Sequence, residues 1–294
     1  MLPRSVATVF SFIIFHYLKT SHLEESLIAM TSTTGDHEDV SAITEPSEEE
    51  PLLGRVGDAA QKDGTPIYHN LILGTGIVAQ AGIWILIALV WSGIFSHPLI
   101  RFFSPHPVRT SKLLPKQHLK YIKLTYQNQL LNSTALLLLT QAILILQPTH
   151  TAEQKSLGVT FHGAFNNVAI LCFLAAFILI EINKFTNHNE HFESPHAIMG
   201  FTTYILIALQ WLFGVFQYFI PSVFGGYERA RSLYKYHRWT GYIIFTLGLA
   251  TVCAATQTTY NKIVLDIKLW AVIVASVVTL AGLLPRIKKQ KLGL

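Results

Sequence analysis

The sequence predicts an all-α integral membrane protein, a bundle of six helices, on three observations. Only 13% of its 294 residues are charged and 51% are hydrophobic, whereas a soluble domain carries about 25% charged residues. Apolar runs recur six times, and crossing a bilayer requires roughly 20 apolar residues per helix. The charged residues collect between these runs and at the chain ends. Because backbone polar groups inside lipid must pair within their own segment, we expect the six runs to be helices.

The six candidate spans follow one another along residues 71–284. The first is Leu71–Phe95, which carries no charge, and the second ends at Leu146. Both cysteines, Cys172 and Cys253, fall inside spans, and we interpret them as small buried residues rather than as a disulfide. The remaining four spans are predicted at Leu157–Ile182, Pro195–Ile220, Tyr236–Thr256 and Leu269–Leu284.

The chain before the first span, residues 1–65, is expected to be a largely disordered acidic tail. A short apolar stretch at Val6–Leu18 resembles a weak signal peptide, but no small-x-small cleavage site follows it closely. We therefore favour a misassigned start codon, which would remove residues 1–29, over a seventh membrane element. Within the tail, Glu48 stands four residues before Leu52-Leu53, a spacing that resembles an endosomal or vacuolar sorting signal or arises by chance.

The distribution of positive charge predicts the orientation. The loop between the fourth and fifth spans and the basic tail, residues 286–294, fall on one side of a six-span topology. Because cytoplasmic segments carry excess lysine and arginine, we expect both chain ends in the cytoplasm. The loop between the third and fourth spans has Lys184 against Glu190 and Glu193, which suits the outer side. The basic residues behind this argument are Arg229, Arg231, Lys235, Arg238, Arg286, Lys288, Lys289 and Lys291.

The segment Val108–Gln129 does not fit the pattern of spans. Its 22 residues contain five basic side chains and no acidic one, and they precede an apolar run, Leu130–Leu146, of only 17 residues. Joining Pro107 directly to Leu130 gives a second span of full length, and the ends of the insert can be reverse-translated into splice-like strings. We interpret the insert as a retained intron, with a genuine lumenal loop as the alternative. Without it the formal net charge falls from +5 to zero, so we draw no conclusion about function from the net positive charge of the chain.

Four of the thirteen histidines occupy equivalent places, each near the start of a span. Ionisable residues inside membrane helices are costly and are functional by default. The second and fourth spans run in the same direction, so His106 and His196 share one leaflet. The third and fifth spans run the opposite way, so His162 and His237 share the other. His97 is the one competitor for the place of His106, and the other histidines at span ends are expected to be solvated.

Paired imidazoles inside an apolar bundle suit haem iron with both axial positions filled, which is closed to oxygen and built for electron transfer. With ligand pairs about 12–15 residues apart in depth, the two irons would lie roughly 20 Å apart along the membrane normal. The expected fold is therefore a six-helix bundle with two haem sites between its central four helices. An interfacial role is the alternative for any single histidine.

Short strings around these histidines carry a resemblance to a known family. They are Phe103-Ser104-Pro105-His106-Pro107, Leu157–His162 with Asn166-Asn167, Glu193-Ser194-Pro195-His196 with Leu209–Gly214, and Tyr234–Arg238 with Gly241. Together, over about residues 70–285, the chain resembles the cytochrome b561 family, in particular its fungal members of the ascorbate-dependent ferric reductase type.

The resemblance implies two non-covalent b haems and a transmembrane oxidoreductase. His162 and His237 would bind the cytoplasmic haem, and His106 and His196 the outer one. The family's electron donor is cytoplasmic ascorbate, and the acceptor is an outer monodehydroascorbate radical or a ferric chelate. The sequence departs from the family pattern at the insert beside His106. This insert would interrupt the pocket of the outer haem.

An anionic donor needs cationic contacts near a haem edge. Lys155 lies about two helical turns before the histidine of the third span, and Arg231, Lys235 and Arg238 flank that of the fifth. We predict these four side chains as donor-binding residues, with ordinary positive-inside charge as the alternative. Besides donor, acceptor and lipid, we expect no nucleic-acid partner, and a homodimer is left open. A vacuolar, endosomal or other internal membrane is the expected location.

Other classes of function compete with this interpretation. A haem reductase that stacks two histidines on one helix is disfavoured because no span holds such a pair. No G-x-G-x-x-G turn follows a strand pattern, so a flavin or nicotinamide module is not expected. A cofactor-free transporter or receptor-like bundle predicts midplane charges or broken helices, whereas the charges here sit at span ends. A non-catalytic membrane scaffold is the remaining alternative.

Overall fold

The structure is a computed structural model that describes residues 59–96, 116–188 and 190–293. Within these ranges the chain is all helical, with seven α-helices and no strand. Six of the helical segments are long and apolar enough to cross a membrane, which confirms the predicted six-span, all-α fold. The helices are α1 (Gly76–Phe95), α2 (Lys116–Leu146), α3 (Ala152–Thr186), α4 (Pro195–Phe219), α5 (Tyr227–Ser232), α6 (Tyr234–Ala255) and α7 (Leu269–Leu283).

Local capping fixes where two of the central helices begin. The Thr151 side chain accepts a hydrogen bond from Gln154 N at 3.2 Å and caps α3. The Ser194 side chain accepts one from Ala197 N at 3.2 Å, and Pro195 takes the first helical position of α4. The start of α4 at Pro195 places His196 in its first turn, as predicted.

The six spanning helices form a closed ring in which each packs on two neighbours, in the order α1, α2, α3, α4, α6, α7 and back to α1. Helices α2, α3, α4 and α6 form the central four-helix core. In this core α3 lies diagonally opposite α6, and α2 lies diagonally opposite α4. Helices α1 and α7 approach each other closely through glycines. A Cβ at Gly82 would collide with the backbone of Thr279, and one at Gly282 with the backbone of Ala79.

The second span begins earlier than the sequence indicated. The sequence placed the apolar run of this span at Leu130–Leu146, whereas the apolar part of α2 runs over the 23 residues Leu124–Leu146. Thr125 and Tyr126 are buried, and Asn183 of α3 donates to the Thr125 hydroxyl at 2.9 Å. Polar residues of the insert are therefore accommodated by pairing with the neighbouring helix. The interpretation of the insert as a retained intron stays a hypothesis.

Several sequence-based predictions lie outside the described residues. They are the misassigned start, the sorting signal at Leu52-Leu53 and the ligand His106. The basic tail, in contrast, is described up to residue 293, and its beginning is part of the bundle. Arg286 is only 2% exposed, and its guanidinium donates to Asn70 O at 2.7 Å and to Leu144 O at 3.0 Å. The predicted boundary therefore falls at a buried residue, Arg286, whose hydrogen bonds link the end of α7 to α2.

Candidate functional site

The first pair of predicted histidines meets across one diagonal of the central four helices. His162 lies in the first third of α3 and His237 in the first turn of α6, close enough for a charge on one imidazole to affect the other. Nδ1 of His162 lies 2.8 Å from the Ala142 carbonyl oxygen on α2. A carbonyl can only accept, so Nδ1 carries the proton and Nε2 keeps its lone pair. This is the tautomer in which an imidazole binds a metal through Nε2.

The surroundings of His237 come from α4. Phe213 stacks on the imidazole with ring centroids 6.1 Å apart and planes 17° from parallel, and Gly214 lies against the same ring. The Gln210 amide nitrogen donates to His237 O at 2.6 Å and lies 3.1 Å from Nδ1. Iron binding through Nε2 keeps the proton on Nδ1, so it requires the amide nitrogen to move off Nδ1. The sequence alone does not reveal the contact between Gln210 and His237, because it depends on how α4 packs on α6.

The structure describes only one histidine of the second predicted pair. His196 lies in the first turn of α4, at the other end of the bundle, and its Nδ1 is 3.0 Å from Thr251 O on α6. Here too a carbonyl holds the Nδ1 proton and leaves Nε2 with its lone pair. The side chain of Thr251 lies 3.2 Å from the Thr203 hydroxyl. His106, the predicted partner of His196, lies outside the described residues.

The donor set fits haem better than a free metal ion. Among the residues that the structure describes, no group of three or more His, Cys, Asp or Glu side chains could hold a metal. Haem needs only two protein ligands because the macrocycle supplies the other four. Imidazoles on diagonal helices meet that need, and backbone carbonyls orient the rings of His162 and His196. Cys172 and Cys253 are unpaired thiols and partly buried.

The basic tail folds back onto the end of the bundle where α2 and α4 end and α3 and α6 begin, which we call the basic face. Lys291 donates from Nζ to Thr149 O at 2.8 Å and to Gln147 O at 3.3 Å. Arg238, next to His237, donates to Lys291 O at 2.7 Å. Leu292 is 7% exposed. The tail therefore docks beside the first histidine pair.

This docking gathers positive charge. Burial, and after it three neighbouring positive charges, lowers the pKa of Lys291 from 10.5 to about 8. The three neighbours are Lys288, Arg238 and Lys155. Two predicted donor-binding residues, Lys155 and Arg238, thus belong to one cationic cluster with the tail. Sequence reasoning used the basic residues of the tail only for orientation and missed their place in this cluster.

The other two predicted donor-binding residues are more peripheral. Lys235 is exposed, its Nζ lies 5.1 Å from the centroid of the Tyr236 ring, and its side chain approaches Gly293 of the tail. Arg231 is exposed on the short helix α5, and it is not among the charges that act on Lys291. The cluster therefore centres on Lys155, Arg238 and the tail.

A bundle of membrane-spanning helices with histidines on diagonally opposite helices suits a haem-binding membrane protein. Residues 129–262 match the family model of eukaryotic cytochrome b561. The match supports the resemblance predicted from the sequence, and the cytochrome b561 family implies transmembrane electron transfer through haem by an oxidoreductase. No curated protein and no solved structure matches the chain. The matched segment contains three of the four predicted ligand histidines and begins after His106.

Proposed function

We propose that the protein transfers electrons across an internal membrane through two b haems, from a cytoplasmic ascorbate-like donor to a lumenal monodehydroascorbate radical or ferric chelate. The observation that carries the proposal is the His162–His237 pair beside the basic face. Imidazoles on facing helices supply two axial ligands, and a cationic cluster stands at the same end of the bundle.

In this proposal His162 and His237 hold the haem near the basic face, and in the form without Val108–Gln129 His196 with His106 holds the second. A haem held at either site would supply one-electron chemistry through the ferric and ferrous states of its iron. The Ala142 carbonyl fixes the His162 ring and makes its Nε2 a stronger ligand by holding the Nδ1 proton. The Thr251 carbonyl does the same for His196. Apolar helices keep water from the path between the two sites.

The basic face is the proposed donor site and faces the cytoplasm. Ascorbate is an anion, and cations near the haem raise its local concentration and orient it. Lys155 and Arg238 make this contact, with Lys235 and Arg231 at its edge. The donor gives up one electron and one proton and becomes monodehydroascorbate, and the electron reduces the acceptor at the opposite face. A ferric chelate gains that electron and becomes ferrous.

Haem content and its dependence on the histidines test the proposal. Purified protein should show a low-spin b-type reduced-minus-oxidised spectrum, and His162→Ala or His237→Ala should abolish the haem near the basic face. The matched control is His150→Ala, because His150 is exposed in the α2–α3 loop and has no part in either pair. Protein that folds, contains no haem and is unaffected by these changes would support the cofactor-free bundle instead.

The internal location rests on the acidic dileucine spacing. Replacing Leu52 and Leu53 by alanine should move a fluorescently tagged protein from internal membranes to the cell surface. Replacing Glu38 and Asp39, which lie outside the spacing, is the control. An unchanged distribution would remove the argument for a sorting signal and leave the electron-transfer proposal intact.

A further inference from the structure

Hydrogen bonds between neighbouring antiparallel helices place the histidines in a common register. On the α4–α6 pair, His196 contacts Thr251 O and Gln210 contacts His237. The step from His196 to Gln210 on α4 equals the step from His237 to Thr251 on α6. Each step is about four helical turns, so the two contacts mark two levels in the bundle, roughly 21 Å apart along the helices. Each level carries one histidine.

The α2–α3 pair shows the same spacing. At one level His162 contacts Ala142 O. The same step toward the start of α2 leads from Ala142 to Asn128, and an equal step along α3 leads from His162 to Ala176. The structure joins these two residues, because Asn128 donates from Nδ2 to Ala176 O at 2.8 Å. Asn128 thus makes the side-chain contact to a backbone carbonyl that His162 and His196 make at two of the other three positions.

The side chain of Asn128 also interacts with the diagonal helix α4, which carries His196. Tyr204 of α4 interacts with Asn128 and donates from its hydroxyl to Asn132 Oδ1 at 2.8 Å. Asn132 in turn donates to Asn128 Oδ1 at 3.2 Å. Tyr204 lies about two turns after His196 on the same helix. Position 128 therefore faces the space between α2 and α4, on the side of the bundle from which a ligand would reach a haem held by His196.

We propose that position 128 is the fourth ligand position, opposite His196, and that Asn128 occupies it in this form of the chain, which therefore lacks the second axial imidazole. A carboxamide is a poor substitute for imidazole on haem iron. The sequence supports the assignment independently. Asn128 stands two residues before Leu130, and removal of Val108–Gln129 puts His106 in the same place, two residues before Leu130. This inference rests on the proposed function and refines it.

The substitution Asn128→His in the full 294-residue chain tests the inference by haem content rather than by activity. Haem per chain should rise from about one to about two, with the added haem low-spin and six-coordinate. The matched control is Asn132→His, one turn further along α2, which should not add a haem. His196→Ala combined with Asn128→His should return the content to about one haem. A content that stays at one in a folded Asn128→His protein would overturn the inference.

Two further variants keep the outcome decisive. The form that lacks Val108–Gln129 should also bind about two haems and lose one on His106→Ala. In the full chain His106→Ala should change nothing. If the full chain already bound two haems and lost one on His106→Ala, position 128 would not be the ligand position, and the proposed function would stand. If neither form bound haem, the proposed function itself would fail.

Discussion

Gly214 is the position at which a single methyl group should disturb the haem near the basic face. It lies on α4 against the His237 ring, and a Cβ there would stand 3.0 Å from Cε1 and 3.6 Å from Nε2. Ordinary van der Waals contact begins at 3.4 Å. In Gly214→Ala the imidazole must therefore retreat by several tenths of an ångström from the position that α4 and α6 give it. Because Nε2 is the proposed ligating atom, the displacement would act directly on its bond to iron.

The size of the effect follows from the cost of overpacking. Forcing an extra carbon into a packed site costs about 1–3 kcal/mol, and each 1.4 kcal/mol is a factor of ten in an equilibrium constant. We expect Gly214→Ala to weaken retention of this haem roughly fivefold to a hundredfold. Transfer of haem to apomyoglobin, followed by absorbance, measures the change. The protein should otherwise fold, since alanine is favoured over glycine inside a helix.

Gly200 on the same helix provides the matched control. A Cβ at Gly200 would meet Thr251 Cγ2 at 3.7 Å, which is ordinary contact. Gly200→Ala should therefore leave retention of the haem near the basic face unchanged. Equal haem loss from both variants, or from neither, would show that the close approach of Gly214 to His237 does not control ligand geometry.

Three other predictions address the ligand pair, the tail and the insert. His162→Ala and His237→Ala should each remove the same haem, and the double variant should match the single ones; additive loss of two haems would contradict the pairing. Docking of the tail should strengthen as pH rises from about 8 to 10.5, because the pKa of Lys291 is lower in the docked tail and the docked form binds fewer protons. Limited proteolysis of the tail across this range measures docking, and Lys291→Gln should flatten the pH dependence. Deleting Val108–Gln129 should raise the rate of electron transfer across proteoliposomes loaded with ascorbate; equal rates in the two forms would show that the insert is a tolerated loop.

The spans could be predicted from the sequence because each depends on features local to one helix. A run such as Pro195–Phe219 is visible as length and hydropathy, and the Ser194-Pro195 cap marks its start. The direction of each span then decides which histidines share a leaflet. These steps require no knowledge of how one helix rotates against the next.

The parts that the sequence did not reveal depend on helix packing and on contacts between distant residues. Asn128 was grouped with a polar insert, and only the register of α2 against α3 places it at a ligand level. The tail contacts residues more than 140 positions away in the chain, and no local pattern encodes that contact. Helix α2 itself begins earlier than its hydropathy indicated, because side-chain pairs with α3 accommodate its polar residues.

The docked tail has a practical consequence for anyone who purifies or images this protein. Its last described residues lie beside Arg238 and Lys235, close to His237 in the first turn of α6. A fluorescent protein or affinity tag fused after Leu294 would place a folded domain at the mouth through which the reductant is expected to enter. Slow reduction by ascorbate in such a fusion would then be an effect of the tag and not a property of the protein.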